Sequence, residues 1–285
     1  MEKENESISI TPELIDRYVV YLQDQEKSMA TVSKYIHTLS VLHRYISDSP
    51  LTKSQLINWK TSLAEKYAAS SVNTMLAAVN SLLDFAGRET LKVKPLKIQK
   101  SMFSDEAKEL TKQEYVRLVQ AAEQEGNERL SLVIQTICST GIRVSELRFV
   151  TAESVKTGKA EINNKGKRRM IFLPVKLRRR LKKYLQEQKI TAGAVFVTKN
   201  GNFLNRSNIW RDMKALCHTA GVAPEKVFPH NLRHLFARTY YSIEKDLSRL
   251  ADILGHSNVN TTRIYTMESG NIHARQMERM GLIIT

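Results

Sequence analysis

The C-terminal two-thirds of the chain carries an ordered set of residues whose types could do phosphoryl chemistry. Arg143 lies in Thr140-Gly141-Ile142-Arg143-Val144-Ser145-Glu146-Leu147, and Lys165 sits between two apolar runs. His230-Asn231-Leu232-Arg233 comes next, then Leu254-Gly255-His256, then Tyr265 nine residues after that histidine. A guanidinium is a planar fork of donors that keeps its proton, so Arg143 and Arg233 suit the non-bridging oxygens of a phosphodiester. A tyrosine hydroxyl can attack phosphorus, but with a reference pKa near 10 only roughly one in a thousand is ionised at neutral pH. Nearby arginines favour the phenolate, and His230 could accept its proton. His256 could hydrogen-bond the phosphate or orient the nucleophile. Such a reaction asks the protein mainly to position groups and stabilise charge.

Each residue alone has a plainer reading. Arg143 could pair with Glu146 three residues on, and His256 could satisfy loose carbonyls at a helix end. Tyr265 could be a core or interface ring, and Lys165 a solvated hairpin lysine. Only as a set do they select a chemistry.

The charge balance agrees with a polyanionic partner. The 285 residues include 44 Lys plus Arg against 29 Asp plus Glu, a net charge of +15. Residues 1–90 carry a net of −2, so the surplus belongs to the rest of the chain. A surplus of that size fits nucleic acid or an anionic surface. No stretch approaches the roughly 18 to 20 apolar residues that span a bilayer, and the acidic N-terminus lacks a signal peptide's apolar core. Cys138 and Cys217 stand alone, without metal-ligand spacing, and read as reduced buried thiols of a cytoplasmic protein.

The elements that must position the set read as mainly α, with a small antiparallel β-sheet, in two domains. Thr11-Pro12 reads as a cap and first helical residue, followed by apolar Leu14, Ile15, Tyr18, Val19 and Leu22 at helical spacing. Further helices carry Tyr35, Leu39, Leu42 and Ile46; then Leu56, Trp59 and Leu63 behind Thr52; then Val72, Leu76, Val79 and Leu83 before Gly87. The domain boundaries fall at 8–90, with a basic linker over 91–108 and a second domain over 109–285. Thr111-Lys112-Gln113-Glu114 is a capping box that opens the second domain. Ala160-Glu161-Ile162 and Met170-Ile171-Phe172-Leu173 read as a hairpin with a basic tip, and Ala194-Val195-Phe196-Val197 as a short strand. Helices joined by short turns follow Ser207.

With these residues in view, residues 105–267 resemble the catalytic domain of the tyrosine recombinase (phage integrase) family. Arg143, Lys165, His230, Arg233, His256 and Tyr265 match its six expected types in order. Lys27-Ser28-Met29-Ala30-Thr31-Val32-Ser33-Lys34-Tyr35 and Ser70-Ser71-Val72-Asn73-Thr74 resemble the family's helical core-binding domain. With no arm-binding domain ahead of it, the chain is similar to the simpler Xer-type members. The resemblance implies attack by Tyr265 to give a 3′-phosphotyrosyl bond and a free 5′-hydroxyl, with Lys165 as general acid. Lys167, two residues away, stays open as an alternative for that role. It also implies chemistry without metal, ATP or other cofactor, on double-stranded DNA with paired sites. The protein would act as a homotetramer, either alone or with a related recombinase or accessory protein.

Candidate DNA contacts are Lys27, Ser28, Thr31 and Lys34 in the first domain and Lys92, Lys94, Lys97 and Lys100 in the linker. Lys167, Arg168 and Arg169 extend them beyond the hairpin tip, while the run from Arg178 to Lys183 reads equally well as a solvated helix face. Ile272, Met277, Met280, Leu282, Ile283 and Ile284 form an apolar tail that could dock on a neighbouring subunit or on its own domain. Two other functions compete: a type IB topoisomerase, which shares the tyrosine chemistry but only relaxes supercoils, and a DNA-binding regulator without catalysis.

Overall fold

The computed structural model describes residues 7–47, 49–98, 106–164, 167–198, 200–256, 258–265 and 277–280, the side chains of Glu106, Asn164 and Lys167 excepted. It divides into two compact units, residues 1–100 and 101–285.

The first unit consists of α1 (Pro12–Asp24), α2 (Met29–Ile46), α3 (Lys53–Lys66) and α4 (Ala69–Phe85). Caps read from sequence form as expected. The Thr11 hydroxyl accepts from Leu14 N–H, and Thr52 and Gln55 cap each other reciprocally at α3. Tyr18, Leu22, Leu39, Leu42, Trp59 and Leu76 are among the buried side chains that fill the space between the helices. A pairing not foreseen is the two-residue antiparallel contact of β1 (Ser7–Ile8) with β2 (Leu51–Thr52). Strands this short leave no alternation to read.

The stretch read as a linker from residue 91 is fastened to this unit over its first part. Leu91 and Val93 are buried in the same core. The Asn80 amide bonds both backbone groups of Val93, at 3.0 and 3.2 Å, and Asn73 does the same for Leu96, at 2.9 and 2.7 Å. Asn73 and Asn80 lie two turns apart on one face of α4, so their side chains stand in for a neighbouring strand.

The second unit holds α5 (Lys112–Gln124), α6 (Glu128–Thr140), α7 (Ala152–Thr157), β3 (Lys159–Asn164), β4 (Lys167–Phe172), α8 (Val175–Glu187), α9 (Arg206–Ala220), α10 (Pro229–Glu244), α11 (Leu247–Leu254) and α12 (Asn260–Arg263). Thr111 and Glu114 form the capping box at α5. α6 is buried along most of its length, with Leu132, Ile134 and Ile137 inaccessible to solvent. The hairpin strands pair from Lys159 with Phe172 to Asn164 with Lys167, which leaves two residues, Lys165 and Gly166, between them. Ile162 and Ile171 face the core, while Met170 and Phe172 are exposed.

The strand expected at Ala194–Val197 is not one. Ala194 makes a single bridge with Thr151, and Val197 another with Phe203. Val195 and Phe196 are buried as an extended core segment instead, which explains the apolar run. Cys217 is buried as expected, but Cys138 only in part. No described helix is long and apolar enough to cross a membrane.

Candidate active site

α10 sets the centre of the site. Pro229 starts it, with a fixed φ that suits a first turn, and His230, Arg233 and His234 then fall at i, i+3 and i+4 on one face. Arg233 is almost inaccessible, at 1% exposure. Its guanidinium donates to the carbonyls of Gly141 and Leu254, the second at 2.7 Å, and reaches His256 Nε2 at 2.9 Å. Tyr265 lies near enough to favour the charged form of this guanidinium. Burial, with Arg143 adding repulsion, lowers the Arg233 pKa to about 10, so the group stays charged at neutral pH.

Those two carbonyls end helices. α6 stops at Gly141 and α11 at Gly255, each in the left-handed region with φ of +67° and +65°. A Cβ on Gly141 would lie 2.4 Å from Cδ1 of Phe236, so only glycine allows the turn to sit against α10. The chain then rises to Arg143, whose Nη1 is 3.0 Å from Glu146 Oε1, while Glu146 Oε2 accepts from the Arg143 backbone N–H at 2.8 Å. The pairing expected from sequence is present, but it is no surface ion pair. Glu146 is wholly buried. Burial would raise its pKa, yet hydrogen bonds from Arg169 and Arg143 overcome this and hold it at about 2.

Tyr265 follows α12 and is 3% exposed. Its ring meets that of His234 edge-on at 4.6 Å and stacks near His256 at 6.1 Å. His230 in turn meets His234 at 4.7 Å. Burial first, then neighbouring positive charge, lowers all three histidines: His234 and His256 reach about 4, and His230 is lowered with Arg233, Arg206 and Arg143 contributing. Each lowering favours the uncharged imidazole, whose lone pair on His256 is taken by Arg233. A cleft of about 390 Å³ opens over Arg143, Ser145, His230 and Arg233, with Arg206 and Trp210 of α9 on its other wall.

Of the six residues singled out, Arg143, His230, Arg233, His256 and Tyr265 converge here. Lys165 lies outside the described residues. The structure adds His234 and Thr262, which sequence reasoning passed over, and gives Glu146 and Arg169 a place at the site. His234 was within reach of that reasoning, being one turn from His230. Arg169 was assigned to DNA and corrects that expectation: its guanidinium turns inward onto Glu146, at 2.9 and 2.6 Å. Arg168 beside it is 75% exposed, with Glu161 at 3.9 Å. Lys27, Ser28 and Lys34 are exposed and Thr31 partly so, with the Ser28 hydroxyl capping α2. Lys94 and Lys97 are exposed, whereas Lys92 pairs with Asp84 at 2.5 Å. Lys100 and the side chain of Lys167 lie outside the described residues, as do Ile272, Leu282, Ile283 and Ile284; Met277 and Met280 are exposed.

A family model described as the phage integrase family matches residues 108–271, more than half of the chain. The chain belongs to the phage integrase family. The family's N-terminal SAM-like domain matches residues 15–90. Among curated relatives, tyrosine recombinase XerA of Pyrococcus furiosus is 28% identical over 96% of both chains. Tyrosine recombinase XerD of Vibrio cholerae is 27% identical over 83% of this chain and 85% of its own. Among solved structures, a lambda integrase dimer bound to a COC′ core site superposes with a TM-score of 0.74, at 19% identity, over 92% of this chain and 78% of that one. XerH bound to difH gives 0.68 at 20% identity, over 93% and 84%. These structures support the integrase-family fold for both units.

Proposed function

We propose that this integrase-family chain is a site-specific DNA recombinase that cuts and rejoins duplex DNA through a 3′-phosphotyrosyl intermediate. The observation that carries the reading is the convergence of Arg143, His230 and Arg233 on one cleft, with Arg233 on His256 and His256 stacked near a buried Tyr265.

The roles are assigned from the chemistry of each group. Arg143 and Arg233 take the two non-bridging oxygens of the scissile phosphate, where preorganised charge is worth most. The Tyr265 oxygen attacks phosphorus, and its proton passes to an uncharged histidine, His230 being the one that opens to the cleft. The P–O5′ bond breaks, its electron pair goes to O5′, and Lys165 on the hairpin protonates that oxygen. Lys167 remains the alternative donor. The new phosphotyrosyl bond keeps the diester's energy, so a 5′-hydroxyl from a second duplex can attack it and restore the backbone without ATP.

Residues 8–90 and 109–285 serve as core-binding and catalytic domains, joined through 91–108. Lys27, Ser28, Thr31, Lys34, Lys92, Lys94, Lys97, Lys100, Lys167 and Arg168 are the candidate phosphate contacts. The chain works in the cytoplasm as a homotetramer on paired sites, through a Holliday junction, alone or with a related recombinase or accessory protein. A lambda integrase tetramer bound to a Holliday junction has the same fold, with a TM-score of 0.73 at 18% identity, which supports this reading.

The test uses a nicked duplex bearing the site that the full-length chain selects from a randomised DNA library. The wild type should form a denaturant-stable protein–DNA adduct, and Tyr265→Phe should form none while binding equally well. An adduct that persists in Tyr265→Phe would overturn the assignment. Junctions formed between two site-bearing duplexes separate recombination from simple relaxation.

A further inference from the structure

Arg169 joins three segments that carry or precede groups of the site. Its Nε donates to the Ile253 carbonyl at 3.1 Å, near the end of α11. Its Nη1 and Nη2 donate to Oε1 and Oε2 of Glu146 at 2.9 and 2.6 Å, in the turn that follows Arg143. Its own backbone belongs to β4. The side chain is 13% exposed. The guanidinium packs directly on the turn after α11: a Cβ on Gly255 would lie 2.8 Å from Nη1 of Arg169.

Each joined segment leads directly to a group with a role in the proposed reaction. Lys167 and Lys165 precede Arg169 by two and four residues. Arg143 shares Glu146 with it, and His256 follows Gly255. We propose that Arg169 is a positioning residue that fixes the β3–β4 hairpin, and with it the general-acid lysine, against the turns that carry Arg143 and His256. This inference rests on the recombinase reading given above.

The physical case is one of rigidity and direction. An isolated two-stranded ribbon is marginally stable in water, so where its tip points depends on how its base is held. Ala160, Ile162 and Ile171 hold one face by burial, a contact that is not directional. A bidentate guanidinium–carboxylate pair fixes angle as well. Arg168 supplies no such anchor, since it is exposed and 3.9 Å from an exposed Glu161. Lysine in place of Arg169 would keep the charge but lose the fork.

Leaving-group chemistry gives a test that a merely structural role would not satisfy. When oxygen leaves, it needs the lysine's proton; when sulfur replaces O5′, the thiolate leaves without one, because thiols ionise near pH 8.5 and alcohols far higher. The nicked selected-site duplex is therefore made with either a 5′-bridging oxygen or a 5′-bridging sulfur. Adduct formation is timed for wild type, Arg169→Gln, Arg169→Lys, Arg143→Ala and Tyr265→Phe.

Arg169→Gln should be slowed on the order of 100-fold with oxygen, the scale of a misplaced group. With sulfur it should return to within about 10-fold of wild type, and Arg143→Ala should not. Arg169→Lys should follow the same pattern. Equal loss on both substrates, or no loss on either, overturns the positioning role. So does loss of DNA binding or of cooperative unfolding in both Arg169 variants, which would make the residue purely structural. A wild type that gives no Tyr265-dependent adduct on either substrate instead sinks the recombinase reading itself.

Discussion

Arg233 Nη2 lies 2.9 Å from Nε2 of His256, and this contact decides the tautomer of the histidine. Arginine can only donate, so Nε2 accepts and the ring proton sits on Nδ1. Nδ1 is 2.8 Å from the Thr262 hydroxyl, which therefore receives that proton. Thr262 is wholly buried and connects the His256 turn to the helix that ends beside Tyr265. Replacing it by valine leaves a half-buried N–H without that acceptor, at a cost of up to about 1–3 kcal/mol. Thr262→Val should lose that much stability in urea unfolding, and its adduct rate should fall. Unchanged values of both would remove Thr262 from the site's support.

Stability should climb with pH through the mildly acidic range. His234 and His256 have folded-state values near 4 against an ordinary 6.5, so between those limits the unfolded chain binds more protons. Their contribution is complete above about pH 6.5 and shrinks as pH falls toward 4. Glu146, depressed from 4.5 to about 2, extends the loss further down as it too takes up a proton. Unfolding free energies at pH 7, 5.5 and 4.5 should fall in that order. His234→Phe should flatten the slope, and a slope unaltered in that variant would contradict the assigned burial of the imidazole.

Gly141 and Gly87 offer a matched comparison. Their φ angles are +67° and +66°, yet a Cβ on Gly87 meets nothing within 4 Å while one on Gly141 strikes Phe236. Gly87→Ala should cost about 1 kcal/mol for the left-handed backbone alone. Gly141→Ala should cost at least about 1–3 kcal/mol more from overpacking, and Phe236→Leu should recover part of it. Equal melting temperatures for the two glycine variants would contradict the close packing of the α6 end on α10.

Salt dependence of DNA binding separates the two neighbouring arginines. Each phosphate contact contributes about 0.9 to the slope of log affinity against log salt. Arg168→Ala and Lys97→Ala should each reduce the slope by about that amount. Arg169→Gln should leave it unaltered, because its charge is spent on Glu146. A lower slope in Arg169→Gln would place that guanidinium on DNA after all.

The local signals in the sequence determined a good deal. Capping residues such as Thr11, Thr52 and Thr111 act within a few residues of themselves, so the helix starts they mark could be read without the fold. Helical periodicity likewise exposed most of the first unit's core, and the ordered set from Arg143 to Tyr265 indicated the family and the chemistry. What stayed hidden depended on contacts between distant segments. Asn73 and Asn80 read as ordinary helix residues until Val93 and Leu96 lie beside them. Arg168 and Arg169 are the same residue type on successive strand positions, so their side chains must point to opposite faces. The run Met170-Ile171-Phe172-Leu173 is apolar at every position and concealed which face was inner. Only the tertiary structure decided it, by placing Ile171 in the core, Arg169 on the same side, and the buried carboxylate of Glu146 where that guanidinium could meet it. Burying a charge is tolerable only with a partner, and a partner 23 residues away is a property of the fold.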